Sequence, residues 1–270
     1  VKKLELSKRI EKALRIDPSK TEQKLVAFVR KKVKAAGATG TVVGLSGGLD
    51  SSVVVALCAK ALGGKNVIGV SLPEAGVTSP HDVADAREIA NRFGVRFKVV
   101  DITPAMAGIR KNLTDYRVGA LLPTANLRPR VRMVILYYYA NLTNKLVVGT
   151  GNRSELRSGY FTKWGDGAAD LLPLGRIYKT QVKQLAYHLK LPKHLIEKKP
   201  SAGLWRGQTD EKELGITYEK LDMIYAGLDL KLKPASIAKA IGVNINTVKN
   251  FIERERKTSH KLAPPEMPKL

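Results

Sequence analysis

Apolar positions recur along the first half of the chain at two alternating periods. Leu25, Val29, Val33 and Ala36 keep helical spacing behind Asp17-Pro18, an N-cap with proline at the first helical position, and Gly37 closes the segment. Short apolar runs then stand between turn residues at 41–45, 66–72 and 96–102. Helical segments separate these runs, so they predict buried parallel strands. Residues 79–93 form one such segment: Ser79 caps it, Pro80 follows, Val83, Ala86, Ala90 and Phe93 share a face, and Gly94 ends it. A long helix is expected over 126–143 and a fourth strand over 145–149. The alternation predicts an α/β fold with a doubly wound parallel sheet and ligands beyond the carboxyl ends of its strands.

Beyond Tyr178 the pattern is helical and more charged. Residues 199–215 mix Pro, Gly and charges without a period, which predicts a mobile loop. Short helices are expected at 218–228, 234–241 and 246–257, giving a helical C-terminal part over about 217–257. The tail, 258–270, holds Pro264, Pro265 and Pro268 and is not expected to fold alone. The whole of 1–270 reads as one domain. Within 126–143, Val131, Met133, Val134, Ile135, Leu136, Tyr137, Tyr138, Tyr139 and Leu142 lie on every side of the helix. One sheet covers one side only, so the pattern predicts a symmetric homodimer with this helix in its interface.

Composition changes this picture little. Lys and Arg number 47 against 24 Asp and Glu, a net charge of +23, which attracts anions in general. The basic residues are spread along the chain with no basic arm, so the charge by itself names no partner. No apolar run approaches the ~18–20 residues that span a bilayer, and residues 1–14 are charged and amphipathic, unlike a signal peptide. Cys58 is the single cysteine, which predicts a reducing, cytoplasmic setting.

The chemistry begins where the first strand ends, in Gly44-Leu45-Ser46-Gly47-Gly48-Leu49-Asp50-Ser51-Ser52, with a helix directly behind. Glycines let a backbone approach an anion, and successive N–H groups at a helix N-terminus cradle it. Asp50 would repel phosphate unless a cation lay between, which implies Mg²⁺. An ordinary glycine-rich turn capped by Asp50 or Ser51 is the plainer reading of the same run. The Gly-Lys-Ser/Thr ending of a Walker loop is missing. Gly149-Thr150-Gly151-Asn152-Arg153-Ser154-Glu155 follows the fourth strand at the same sheet edge. Behind it, Gly159-Tyr160-Phe161-Thr162-Lys163-Trp164-Gly165-Asp166-Gly167 to Asp170 offers a cation, carboxylates and aromatic faces.

The Ser-Gly-Gly-x-Asp-Ser run resembles the loop of pyrophosphatase-loop ATPases, which split ATP between the α and β phosphates and adenylylate a substrate. With Asn126-Leu127-Arg128-Pro129-Arg130-Val131-Arg132-Met133 and Ser259-His260-Lys261 added, the series from about Gly44 to Lys261 resembles ammonia-dependent NAD synthetases, of the adenine nucleotide alpha-hydrolase-like fold. That resemblance implies that Gly44, Leu45, Ser46, Gly47, Gly48, Leu49, Asp50 and Ser51 hold ATP, the co-substrate, with Thr150, Lys179 and Ser201 as further contacts. It implies Mg²⁺ at Asp50 and Glu155, and contacts to nicotinic acid adenine dinucleotide from Arg130, Lys163, Asp170, His260 and Lys261. Asp166 matches a carboxylate near the reacting carbon and is the candidate proton acceptor. The implied activity is amidation of the dinucleotide by ammonia, catalysed by Asp50, Glu155, Lys179 and Asp166. The homodimer agrees with the dimers usual in that family.

Two rivals come from other readings. A tRNA-modifying enzyme would share the loop, but thiolating members usually need paired cysteines, and here Cys58 stands alone. Residues 234–252 read as helix, Gly turn and helix, as in a DNA-binding helix-turn-helix. Ile237, Ile241, Val248 and Ile252 serve equally as a packing face, so nucleic acid is not the expected partner.

Overall fold

Four strands, β1 (Thr41–Gly44), β2 (Val67–Ser71), β3 (Arg96–Val99) and β4 (Leu146–Val148), pair in parallel in the order β3-β2-β1-β4. The computed structural model describes residues 2–205 and 207–268. The helices are α1 (Lys2–Ala13), α2 (Pro18–Ala35), α3 (Leu49–Leu62), α4 (Pro80–Arg92), α5 (Thr103–Asn112), α6 (Leu121–Leu142) and α7 (Arg153–Ser158). They continue with α8 (Lys179–His188), α9 (Lys193–Ile196), α10 (Asp210–Leu214), α11 (Tyr218–Asp229), α12 (Pro234–Ile241) and α13 (Ile245–Thr258).

The side-chain alternation of β1 shows how the layers form. Val43 points into a core shared with α2, α3, α4 and α8, whereas Val42 joins Ile68, Val70 and Val147 under α5 and α6. The chain winds outward from β1 to β2 and β3, then returns through α5 and α6 to place β4 on the other side of β1. The loops that leave β1 and β4 therefore part at the switch point of the sheet.

Several expectations are corrected by this arrangement. The third strand is an edge rather than a buried strand, with Arg96, Lys98 and Val99 exposed. Its charged side chains are the means by which an open edge avoids further pairing. The long helix starts at Leu121, earlier than residue 126, and carries Pro129 in its interior. Pro129 is buried there against Gly165, where a Cβ would come within 2.9 Å of the proline ring. The segment 199–215 ends in α10, and its base is pinned where the N–H of Asp210 donates to Pro200 O at 3.1 Å. The tail, not expected to fold alone, needs no such correction: it forms the 3-10 turn Ser259–Lys261 against the rest of the fold.

A third core joins the two ends of the chain. Ile10 and Leu14 of α1 pack with Leu221, Ile224 and Tyr225 of α11, Ile237 of α12, and Val248 and Phe251 of α13. The apolar face of the helix-turn-helix-like pair is thus spent on packing. No helix among the described residues is long and apolar enough to cross a membrane.

Just past β2, buried Glu74 (3% exposed) pairs with Arg128 of α6 and with Arg110 of α5, the latter at 2.6 Å. This junction clamps both helices to the sheet, and Arg128 is itself buried. Removing one partner of a buried pair leaves the other charge uncompensated. Glu74→Ala is therefore expected to cost about 3–5 kcal/mol in denaturant unfolding. A loss below about 1 kcal/mol would show that Arg128 reaches water instead.

Candidate active site

The loop after β1 is wound by its own hydroxyls. Ser51 Oγ donates to Gly48 O at 3.0 Å, Gly48 N donates to Ser46 Oγ at 3.2 Å, and the two hydroxyls lie 3.1 Å apart. Gly47 has φ +77°, and a Cβ there would stand 2.1 Å from Asp82 O at the start of α4. Only glycine fits this approach. Lys198 holds the same junction from outside, donating to Gly47 O at 3.0 Å and to Asp82 and Asp85 at 2.6 Å each.

Behind β4, Asn152 and Glu155 form a capping box: Asn152 Oδ1 accepts from Glu155 N, and Glu155 Oε2 accepts from Asn152 N, each at 3.1 Å. The Asn152 side chain also donates to Asp50 Oδ1 at 3.2 Å. Lys179, the first residue of α8, reaches back across the switch point to pair with Asp50 Oδ2. Burial drives Glu155 well above the usual carboxylate range, and the Asp50 charge adds to it. Burial alone would lower Lys179, but Asp50 and Glu155 outweigh it and hold the ammonium above its ordinary value.

Fully buried Asp222 sets Lys179 in place. It accepts from Ser154 Oγ and, at 2.8 Å, from Thr180 N, while Ser154 Oγ accepts from Lys179 N at 2.9 Å. Burial pushes Asp222 up to about 6 against the opposing bonds from Ser154 and Thr180. Neither Asp222 nor Asp210, a buried carboxylate beside the same cluster, stood out in the sequence, because Asp222 is one acid in an ordinary helix and Asp210 falls in the charged, aperiodic stretch 199–215. The Asn152–Glu155 spacing, by contrast, carries a capping-box signal that was there to read.

Asp50, Glu155, Lys179 and Asp210 line a cavity of about 710 Å³, together with Gly44, Leu45, Ser46, Gly48, Leu49, Ser51, Thr150, Asp166, Ser201 and Lys261. Gly47 lies within the loop, turned toward α4. Asp166 Oδ1 accepts from Thr162 N at 2.8 Å. Burial raises its carboxyl, against which the Lys261 and Arg132 charges act. The Lys261 ammonium donates to Gly159 O at 2.8 Å and Phe161 O at 2.9 Å.

Arg130, Lys163, Asp170 and His260 are not among the lining residues. Three of them form a chain: Arg130 donates to Lys163 O at 3.3 Å, and Lys163 Nζ to His260 O at 2.8 Å. The Asp170 carboxylate accepts from Val147 N at 2.7 Å and from the Tyr137 hydroxyl at 3.2 Å, so it braces β4.

The sequence profile of the NAD synthase family matches residues 21–265. The chain belongs to the NAD synthase family. A protein of Staphylothermus marinus described as an NH(3)-dependent NAD(+) synthetase is 40% identical over 262 residues, covering 97% of this chain and 95% of its own. One of Archaeoglobus fulgidus with the same description is 49% identical over 205 residues, 76% of this chain and 82% of its own. Among solved structures, the NMN synthetase of Francisella tularensis superposes with a TM-score of 0.84 at 33% identity, over 95% of this chain and all (100%) of its own. The NH3-dependent NAD synthetase of Campylobacter jejuni gives 0.78 at 28%, over 94% and 100%. An NAD synthase fold thus frames the switch-point cavity.

The loop geometry yields a paired test. On the expectation that this loop holds ATP, Gly47→Ala should weaken ATP binding by more than about ten-fold, because the new methyl forces the loop off α4. Gly48→Ala meets only Ser46 Oγ at 3.3 Å and should be much milder. Calorimetric titration with ATP compares them, and equal losses would refute the close-approach argument.

Proposed function

We propose that this NAD synthase family member is a ligase that amidates nicotinic acid adenine dinucleotide with ammonia, consuming ATP and releasing AMP and pyrophosphate. The observation that carries the reading is the cluster of Asp50, Glu155 and Lys179 at the mouth of the Ser-Gly-Gly loop, in a cavity that also takes in Asp166. The loop's N–H groups and hydroxyls, with Thr150 and Ser201, would hold the nucleotide. Sheet loops and C-terminal helices line the cavity together, which supports one working unit over 1–270.

A carboxylate does not react with ammonia because oxide is too poor a leaving group. Attack of the nicotinate oxygen on the α-phosphorus forms an acyl adenylate and expels pyrophosphate. Ammonia then attacks the acyl carbon, AMP leaves, and one proton is released. The first step needs charge neutralised and atoms aligned rather than a base. Lys179, kept cationic between two carboxylates, is suited to that. Asp50 and Glu155 are hard oxygen donors whose mutual repulsion favours a cation, so they fit Mg²⁺. Asp50 and Glu155 would hold such an ion where it would screen the phosphate charge. In the second step Asp166, raised by burial, would accept the proton from ammonium. The chain of Arg130, Lys163 and His260 beside Lys261 offers positive charge outside the cavity for the remainder of the dinucleotide.

Ammonia itself is the nitrogen source in this reading. Burial pushes the Cys58 thiol up to about 12, which makes it a poor nucleophile for glutamine hydrolysis. A lone reduced thiol is also why we read the setting as cytoplasmic.

Incubation with ATP, Mg²⁺, ammonium and the dinucleotide should yield AMP and NAD in equal amounts. Nicotinic acid mononucleotide belongs in the same assay, because the Francisella protein is an NMN synthetase. Preference for the mononucleotide would overturn the substrate assignment. Asp50→Ala and Glu155→Ala should each lower turnover at least ~100-fold with the fold intact, as loss of several kcal/mol of charge stabilisation requires. Near-normal activity of either across a Mg²⁺ titration would remove the metal assignment.

We also propose a homodimer through α6. Val134 (60% exposed), Tyr138 (62%) and Leu142 (64%) form a stripe on the side turned away from the sheet. Light scattering at micromolar concentration should give twice the chain mass, and Tyr138→Glu should give monomers. A stable monomer before substitution would exclude this interface.

A further inference from the structure

Asp210 is a buried charge on the cavity wall to which the mechanism gives no task. It opens α10, is only 3% exposed, and lines the cavity. Its Oδ2 accepts the Tyr218 hydroxyl at 3.0 Å, while its Oδ1 has no hydrogen-bond partner among the described residues. A buried carboxylate oxygen left in that condition is costly, and a cation within reach would relieve it.

Lys179 is such a cation. Its ammonium lies 5.3 Å from the centroid of the Tyr218 ring, and the hydroxyl of that same ring bonds Asp210. Burial raises the Asp210 carboxyl, and the Lys179 charge is the chief effect acting against that rise. The present partner of the ammonium is Asp50. Two carboxylates therefore act on one ammonium: Asp50 pairs with it directly, and Asp210 is tied to the Tyr218 ring that the ammonium faces. Asp50 also belongs to the pair that fits a divalent cation, and a cation there repels Lys179. An ammonium displaced inside a buried site needs a second anionic partner.

We propose that Asp210 is a positioning residue that receives the Lys179 ammonium, across the Tyr218 ring, when a divalent cation occupies Asp50 and Glu155. This rests on the metal reading of that pair. The transfer also reaches the loop that carries Ser201, because the backbone N–H of Asp210 closes the base of that loop on Pro200. Asp210 thereby connects the metal-free and metal-bound positions of Lys179 to a wall of the nucleotide cavity.

Binding of Mn²⁺ alone, followed by the EPR signal of the free ion, reads this competition without turnover. Asp210→Asn should weaken Mn²⁺ binding about ten-fold, because the ion must then displace an ammonium that has no second partner. In a Lys179→Met background there is no ammonium to move, and Asp210→Asn should then change binding less than about two-fold. Equal weakening in both backgrounds would make Asp210 a metal ligand and overturn the proposal, as would no effect in either. Should Asp210→Asn fail to fold, Tyr218→Phe poses the question with the opposite sign. It frees Oδ2 as well, so Asp210 attracts Lys179 more strongly and Mn²⁺ binding should tighten; unchanged or weaker binding overturns the proposal. Glu155→Gln checks the underlying reading separately: if it leaves Mn²⁺ binding intact, the metal pair itself is wrong and this inference goes with it.

Discussion

Two carboxylates and an ammonium held out of bulk water at one point of the sheet constrain everything around them. Asp50 and Lys179 are 129 positions apart, and Glu155 arrives from a third segment. Like charges at ~4 Å repel by about 4 kcal/mol near a protein surface, and more in drier surroundings. Such a cluster persists only where the backbone leaves no freedom to spread. The switch point provides this, because the chain leaves β1 and β4 there in opposite directions and both loops enter helices at once.

Capping supplies the remaining rigidity. Glu155 faces the cavity with one carboxylate oxygen already committed to Asn152 N, so its direction is set by the start of α7. Lys179 is placed by the start of α8, whose N–H groups are bound through Ser154 and Asp222. Glu155 and Lys179 thus each sit in the first turn of a helix with first-turn N–H groups bound by side chains, whereas α3 behind Asp50 has no side-chain cap. The site is therefore stiff without any strand beyond the four of the sheet.

The two ends of the chain meet for a related reason. α11 presents Asp222 and Tyr218 to the cluster on one side and must bury Leu221, Ile224 and Tyr225 on others. α1, α12 and α13 cover those residues. A helical hairpin that resembles a DNA-reading unit in sequence is thus the outer layer supporting the helix that positions Lys179.

Local rules made much of this protein legible in its sequence. The N-caps at Asp17 and Ser79, the apolar runs of β1, β2 and β4, and the Ser-Gly-Gly-x-Asp-Ser loop depend on neighbours a few positions apart, and a sequence displays those. Family membership was readable for the same reason, since spaced motifs survive in the linear order. The exposure of β3, the burial of Asp210 and Asp222, and the exclusion of Arg130 and Asp170 from the cavity lining were decided only by the tertiary structure. Whether a charge faces water or another charge depends on separate segments, 68 and 42 positions away in the case of Asp222. The apolar run of β3 reads as buried until strand order makes it an edge. An acid such as Asp222 looks solvated until α7 and α8 end against it, because burial belongs to the packed chain and not to the residue.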